Sequence, residues 1–211
     1  MASLSSSLRK GKADITTQIN QIDQKLSKKE KGSFLYLVEV LAKEADPSKS
    51  LIALLGDLRH KYCHEKDDSI DILRIILDKA KLKKYADILC PPNQFRPPTL
   101  ENYQYISEHE CKLVAMRSCL INLVCSLTKD LLRTLLETLC LKSDSNPENY
   151  TCIYTLLREL EQRATISPGR LEFISEVLEE DDRFASVRHI IDSYQEQFCN
   201  EGQRHSSTGN S

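Results

Sequence analysis

Apolar residues recur every three or four positions along eight stretches of the chain, and this spacing constrains the fold more than any other feature. An α-helix has about 3.6 residues per turn, so apolar residues at that spacing lie on one face of a helix. The 211 residues include only 6 glycines, too few for the tight turns of an all-β fold. The sequence therefore predicts an all-α protein. The stretches run from Ile15 to Leu26, Phe34 to Leu41, Leu51 to Leu58, Ile70 to Leu77, Leu113 to Leu127, Leu131 to Leu139, Ile153 to Leu160 and Leu171 to Leu178.

A proline-rich segment at residues 90–98, with the sequence CPPNQFRPP, separates the stretches into two groups. Proline lacks a backbone N–H and breaks a helix interior, so this segment predicts a boundary between two helical domains. The two ends of the chain are polar, and we expect them to be disordered tails. The predicted organisation is a tail at 1–13, a first domain at 14–90, a linker at 91–106, a second domain at 107–199 and a tail at 200–211.

The second group of stretches repeats the first. The sequence ALLGDL at residues 53–58 aligns with TLLREL at residues 155–160 at an offset of 102, and the stretches at 70–77 and 171–178 align at an offset of 101. A period near 100 residues is too long for a solenoid, so the pattern predicts two tandem copies of one small helical domain. The alternative is a chance similarity between leucine-rich amphipathic helices.

The two halves differ in charge. Residues 1–90 carry 17 Lys and Arg against 13 Asp and Glu, whereas residues 91–211 carry 12 against 18. The contrast is sharpest after the last stretch of each group, where the first copy has Lys79, Lys81, Lys83 and Lys84 and the second has Glu179, Glu180, Asp181 and Asp182. Surfaces of opposite charge can dock head to tail between molecules. The alternative is two solvated helix ends.

No residue pattern predicts catalysis or cofactor binding. The glycines stand too far apart to form a phosphate-binding loop. His60 and His64 stand one helical turn apart, with Cys63 beside them, but they lack the second ligand pair of a structural zinc site. The eight cysteines lie mostly in apolar runs, where we expect buried, unreactive thiols. We therefore predict a chain that is not an enzyme and binds no metal or cofactor.

Composition also indicates the subcellular location of the chain and the kinds of partner it can bind. No apolar run approaches the roughly 18 residues of a membrane span, and Arg9, Lys10 and Lys12 stand where a signal peptide would be apolar. Free thiols then favour a reducing, cytoplasmic location. The isoelectric point of about 6.2 and the lack of a basic stripe with aromatics argue against nucleic-acid binding.

Several segments resemble a known domain family. YTLLRELEQR at 154–163, ISP at 166–168, LEFISEVL at 171–178 and DRF at 182–184 resemble the second half of a death effector domain. FLYL at 34–37 and LLGDL at 54–58 resemble a further copy. The chain thus resembles a tandem death effector domain protein, the arrangement of cellular and viral FLICE-like inhibitory proteins and of initiator caspase prodomains. The resemblance covers nearly all of both predicted domains and implies two tandem death-fold domains, each an antiparallel helical bundle.

The resemblance implies a hydrophobic patch on an early helix, a Phe-Leu pair that docks into a pocket of a neighbouring domain. Phe34 and Leu35 match this pair, and in the second copy Leu135 and Leu136 stand near the corresponding place without an aromatic residue. An exposed aromatic residue would be a hot spot for binding. The alternative is that Phe34 belongs to the core, because it shares helical spacing with Leu37.

The resemblance also implies an RxDL charge motif late in each domain. Arg183 matches its arginine, but Ala185 and Ser186 replace its aspartate and leucine, and LKKY at 82–85 in the first copy matches none of it. We infer from these departures that the chain pairs through its own basic and acidic faces. The predicted protein-binding residues are Phe34, Leu35, Lys81, Lys83, Lys84, Glu180, Asp182 and Arg183.

The resemblance implies a non-catalytic regulator of apoptosis that binds a death-effector-domain adaptor and an initiator caspase by homotypic contacts and limits caspase activation. Because the sequence stops at Ser211 without a protease domain, we expect a short inhibitory member, with self-association into filaments as a further hypothesis. One alternative is the prodomain, or a truncated isoform, of an initiator caspase. A second is an unrelated helical scaffold.

Overall fold

A computed structural model of the chain describes residues 15–42, 50–62, 68–89, 100–103 and 105–206. Within these ranges the structure is helical and has no β-strand, so the prediction of an all-α fold is confirmed. Short 3-10 helices form at Leu100–Asn102, Pro147–Asn149 and Asp182–Phe184. The α-helices are α1 (residues 15–25), α2 (Lys28–Leu41), α3 (Leu51–Tyr62), α4 (Asp68–Lys79), α5 (Lys83–Leu89), α6 (Glu108–Ser126), α7 (Lys129–Lys142), α8 (Ile153–Gln162), α9 (Glu172–Glu179) and α10 (Ala185–Ser206).

The chain divides into two compact units, Met1–Cys111 and Lys112–Ser211. The division falls inside α6, whereas the sequence places a linker at 91–106. Most of that linker and the tail at 1–13 lie outside the described residues, but Leu100 and Ile106 at the end of the linker are buried. The backbone of α10 continues to Ser206, past the domain end predicted at 199.

One pair of helices related by the internal repeat, α2 and α7, begins with a side-chain cap in both units. Ser27 caps α2 in a capping box, in which its hydroxyl accepts a hydrogen bond from the Glu30 N–H and the Glu30 carboxylate accepts one from the Ser27 N–H. Thr128 caps α7 by accepting a bond from the Leu131 N–H. The two caps stand 101 positions apart, and both helices have 14 residues. The offset of the internal repeat therefore also relates the starts of these helices.

Three helices end in a left-handed residue that is not glycine. These residues are Lys81 after α4 (φ 61°), Asp144 after α7 (φ 53°) and Ala164 after α8 (φ 55°). In each case the next residue donates its N–H to the carbonyl five positions back, as Leu82 does to Leu77 at 2.8 Å. This is the Schellman motif, which satisfies carbonyls at the end of a helix. Without a glycine to mark them, the sequence does not reveal these ends.

Most apolar positions paired by the internal repeat are buried in both units, although Leu55 and Ile70 of the first unit are partly exposed. Leu54 and Leu58 of α3 and their counterparts Leu156 and Leu160 of α8 are all at most 1% exposed. The same holds for Leu73, Ile76 and Leu77 of α4 and for their counterparts Ile174, Val177 and Leu178 of α9. Burial of matching positions is what two copies of one helical domain require.

Candidate protein-interaction site

The Phe34 and Leu35 side chains are buried, at 0% and 5% exposure. All of α2 from Ser33 to Val38 is buried, so this half of the helix has no solvent-facing side. This corrects the prediction of a surface anchor at Phe34 and Leu35, and Phe34 lies in the core as the alternative interpretation held. In the second unit Leu135 is also buried, while Leu136 is partly exposed. Neither Phe34 nor Leu35 presents a surface to a partner, so we leave both out of the candidate site.

The basic corner consists of Lys81, Lys83 and Lys84, in the turn after α4 and the first turn of α5. All three side chains are exposed. The Lys84 ammonium lies 2.6 Å from a Glu30 carboxylate oxygen and 4.7 Å from the centre of the Tyr85 ring. Lys81 and Lys83 form no ion pair with any other described residue. The basic corner therefore offers two uncompensated positive charges and one that is paired within the unit.

The pairing changes the acidity of the Glu30 carboxyl. The Lys84 ammonium and the Ser27 backbone N–H both stabilise the carboxylate, and together they lower the pKa of Glu30 from 4.5 to about 2. The same carboxyl thus completes the capping box of α2 and holds α5 against α2. These contacts set the position of the basic corner within the first unit.

The acidic corner runs from the last residue of α9 to the first residue of the last 3-10 helix and consists of Glu179, Glu180, Asp181 and Asp182. Glu180 pairs with the Lys142 ammonium at 2.5 Å. Asp181 accepts a fork of hydrogen bonds from the Arg183 guanidinium at 2.5 to 3.0 Å, which lowers the pKa of Asp181. Arg183, the residue that matched the family motif, is therefore paired with its own near neighbour.

Two carboxylates of the acidic corner remain open to solvent. Asp182 is fully exposed and lies 3.6 Å from the Arg188 guanidinium, a long distance for an ion pair. Glu179 is exposed and forms no ion pair with another residue in the described part of the chain. Of the predicted charged residues, Lys84, Glu180 and Arg183 are paired within their own units, whereas Lys81, Lys83 and Asp182 are available to a partner.

Arg188 holds the backbone of the acidic corner, a role that the sequence analysis missed. Its Nε donates to the Leu178 carbonyl at 2.9 Å, and its Nη2 donates to the carbonyls of Glu179 and Asp181 at 3.2 and 3.3 Å. The Leu178 and Glu179 carbonyls belong to the last turn of α9 and the Asp181 carbonyl follows it, so none of the three has a partner further along the helix. The only sequence signal is a basic residue in the first turn of the next helix, which is too common to be informative.

An exposed aliphatic side chain lies near each corner. Ile88 is 37% exposed and lies on α5, four positions after Lys84. Leu141 is 82% exposed and directly precedes Lys142, which contacts Glu180. Leu141 falls outside the stripe formed by Leu131, Leu135 and Leu139. Its position off the apolar face could have predicted its exposure from the sequence.

Several cysteine thiols lie in surroundings that disfavour the reactive thiolate. Burial raises the pKa of Cys119 to about 12 and also raises the pKa values of Cys111 and Cys140. Cys63 and His64 of the weak metal motif lie outside the described residues. Elsewhere, the described part of the chain contains no group of three or more His, Cys, Asp or Glu side chains able to hold a metal ion. None of its helices is long and apolar enough to cross a membrane.

No family model, curated protein or solved structure matches the chain. A functional assignment thus depends on the resemblance of the quoted segments and on the contacts at the two corners. Both corners present charged side chains on a backbone fixed by internal hydrogen bonds. Such surfaces are suited to binding an oppositely charged protein surface.

Proposed function

We propose that the chain is a non-catalytic, cytoplasmic regulator of apoptosis. It binds a death-effector-domain adaptor and an initiator caspase by homotypic contacts between helical domains, and it limits caspase activation. The observation that carries this proposal is the repeat of one capped helix start and of most buried apolar positions between the two units. That repeat supports a tandem arrangement of one helical domain, which is the arrangement that the quoted segments resemble.

The basic and acidic corners are the proposed binding surfaces. Lys81 and Lys83 attract a partner's acidic side chains, and Glu179 and Asp182 attract basic ones. Charge complementarity of this kind directs encounter and sets the choice of partner more than it adds affinity. The chain limits activation by competition, because each position it occupies in the complex is one that a caspase does not fill.

The test is a binding measurement with the full chain against death effector domains of an adaptor and of an initiator caspase. We expect binding that is weakened about tenfold or more by the double variant Lys81→Glu, Lys83→Glu. The control variant Lys129→Glu, Arg170→Glu makes the same charge change at other exposed sites and should bind normally. Because Phe34 is buried, a charge at that position would test folding and not binding.

A second measurement shows whether the chain lowers or raises caspase activation. In a reconstituted mixture of adaptor and initiator caspase, the full chain should lower protease activity. Increased activity would contradict an inhibitory role and favour the prodomain interpretation. Normal folding with no binding to either protein would overturn the proposal.

A further inference from the structure

The loop between α7 and α8 is fastened to α8 by polar side chains that belong to neither corner. Glu159 of α8 accepts one hydrogen bond from the Tyr150 hydroxyl and another from the Arg163 guanidinium. The Arg163 guanidinium also donates to the Ser143 carbonyl at 3.1 Å and to the Ser145 hydroxyl at 3.3 Å. These contacts together are the Glu159 clasp, and they connect both ends of the loop to α8.

The loop is open to solvent. Asp144 and residues 146–149 are exposed, and Tyr150 is half-buried. A kinase reaches a side chain where the backbone can leave the fold, and a surface loop does so at lower cost than a helix. The backbone at Tyr150 is already extended, with φ −115° and ψ 107°. The exposed carboxylates of Asp144 and Glu148 precede Tyr150 and give the loop a charge pattern that a kinase can select.

Most other tyrosines in the described part of the chain are out of reach. Four are buried in helices at 9% exposure or less, and these are Tyr36, Tyr85, Tyr154 and Tyr194. The phenolic oxygen of Tyr103 is buried as well. Tyr105 is 54% exposed and provides an internal comparison for Tyr150.

We propose that Tyr150 is a phosphorylation site for a tyrosine kinase and that the phosphate opens the Glu159 clasp. The Tyr150 oxygen attacks the γ-phosphorus of ATP, the bond from that phosphorus to the bridging oxygen breaks, and ADP leaves. The phenolic proton passes to the catalytic carboxylate of the kinase. This inference goes beyond the proposed function, and either can fail without the other.

The phosphate converts an attraction within the clasp into a repulsion. It brings roughly 1.5 to 2 negative charges to the oxygen whose hydroxyl had donated to the Glu159 carboxylate. It also competes with Glu159 and with the loop for the Arg163 guanidinium, because arginine binds phosphate oxygens well. Both effects separate the loop from Glu159. The loop begins directly after Lys142, which binds Glu180 of the acidic corner, so the switch lies beside a charged surface of the chain.

Phosphorylation of the folded full chain by a soluble tyrosine kinase with Mg²⁺ and ATP tests the site. Peptide mass spectrometry should find phosphate on Tyr150 and none on Tyr36 or Tyr154, which the fold protects. Tyr150→Phe should lose this phosphate, whereas Tyr105→Phe should keep it. A chain that takes up no phosphate at Tyr150, or takes up as much at Tyr154 as at Tyr150, would overturn the inference.

Hydrogen exchange of the phosphorylated chain tests the switch. The Ser145 and Tyr150 amides are hydrogen-bonded at 2.8 and 3.2 Å, so they report on the order of the loop. We expect phosphorylation to accelerate their exchange about tenfold or more and to leave α2 unchanged. Glu159→Gln removes the repelling charge, so phosphorylation of that variant should accelerate exchange much less. Exchange that slows or stays the same in the wild-type chain, or that accelerates equally in Glu159→Gln, would contradict the opening of the clasp.

Discussion

The Lys84 ammonium lies 2.6 Å from the Glu30 carboxylate and joins α5 to α2 within the first unit. The Glu30 carboxyl also closes the capping box of α2 through its bond from the Ser27 N–H at 2.8 Å. One carboxyl thus serves both the start of a helix and a contact between helices. Protonation of Glu30 should weaken both contacts together.

Stability should therefore depend on the Glu30 charge in acid. The folded chain holds the pKa of Glu30 at about 2, below its ordinary 4.5, chiefly because of Lys84. The stabilisation is then complete above pH 4.5 and is lost as the pH falls towards 2. Urea unfolding across this range should show a shallower loss of stability for Glu30→Gln than for wild type. Glutamine can still close the capping box, and Glu179→Gln, at an exposed site without an ion pair, should keep the wild-type slope.

Replacing Arg188 with Met should loosen the acidic corner. The variant loses three hydrogen bonds to the carbonyls of Leu178, Glu179 and Asp181, so we expect a stability loss of roughly 1–2 kcal/mol. Hydrogen exchange should accelerate over residues 178–184. Arg188→Lys should not restore protection, because a single ammonium cannot reproduce the guanidinium fork. Arg183→Met is the control, since the Arg183 guanidinium bonds to the nearby Asp181 carboxylate and to no backbone carbonyl of the described residues. Equal acceleration in that variant would contradict the role of Arg188.

Two glycine-to-alanine substitutions should have opposite effects on the stability of the chain. Gly169 has a φ of +78°, and a β-carbon there would overlap the Phe198 ring, so Gly169→Ala should destabilise the chain by about 2 kcal/mol. Gly56 lies in α3 with nothing within 4 Å of the added carbon. Gly56→Ala should stabilise the chain by roughly 0.5–1 kcal/mol. Thermal and urea unfolding measure both, and a stabilising Gly169→Ala would show that Phe198 does not pack on this turn.

The Arg117 and Glu161 pair should contribute more to the stability of the chain than an exposed ion pair does. The Arg117 guanidinium of α6 donates to both oxygens of Glu161 on α8 at 2.6 to 3.2 Å, and both side chains are at most 12% exposed. Arg117→Met should cost roughly 2–3 kcal/mol, because it leaves a mostly buried carboxylate without this partner. The double variant Arg117→Met, Glu161→Met should recover most of the loss.

The control for this pair is Arg133→Met, which removes an exposed pair with Glu137 on one face of α7. We expect no measurable change in the urea midpoint. A double variant no more stable than Arg117→Met alone would contradict the explanation by a mostly buried carboxylate that has lost the Arg117 guanidinium.

The sequence by itself determined the helical class and most of the buried positions. The spacing of apolar residues is a local property, because side chains three or four positions apart share a face of one helix whatever else the chain does. Leu54 and Leu58 of α3 and their counterparts Leu156 and Leu160 of α8 were therefore predictable, and all four are buried. The charges after α4 and α9 could likewise be located in advance.

Only the tertiary structure decided which of these residues a partner can reach. Phe34 fits either a core or a surface anchor by its spacing, and the uninterrupted burial of α2 from Ser33 to Val38 places it in the core. Lys84 and Glu180 look like free charges in the sequence, yet each pairs with a residue on a distant helix, Glu30 for the first and Lys142 for the second. Ion pairs and burial of this kind depend on which helices pack together, and a periodic pattern within one helix contains no information about its neighbours.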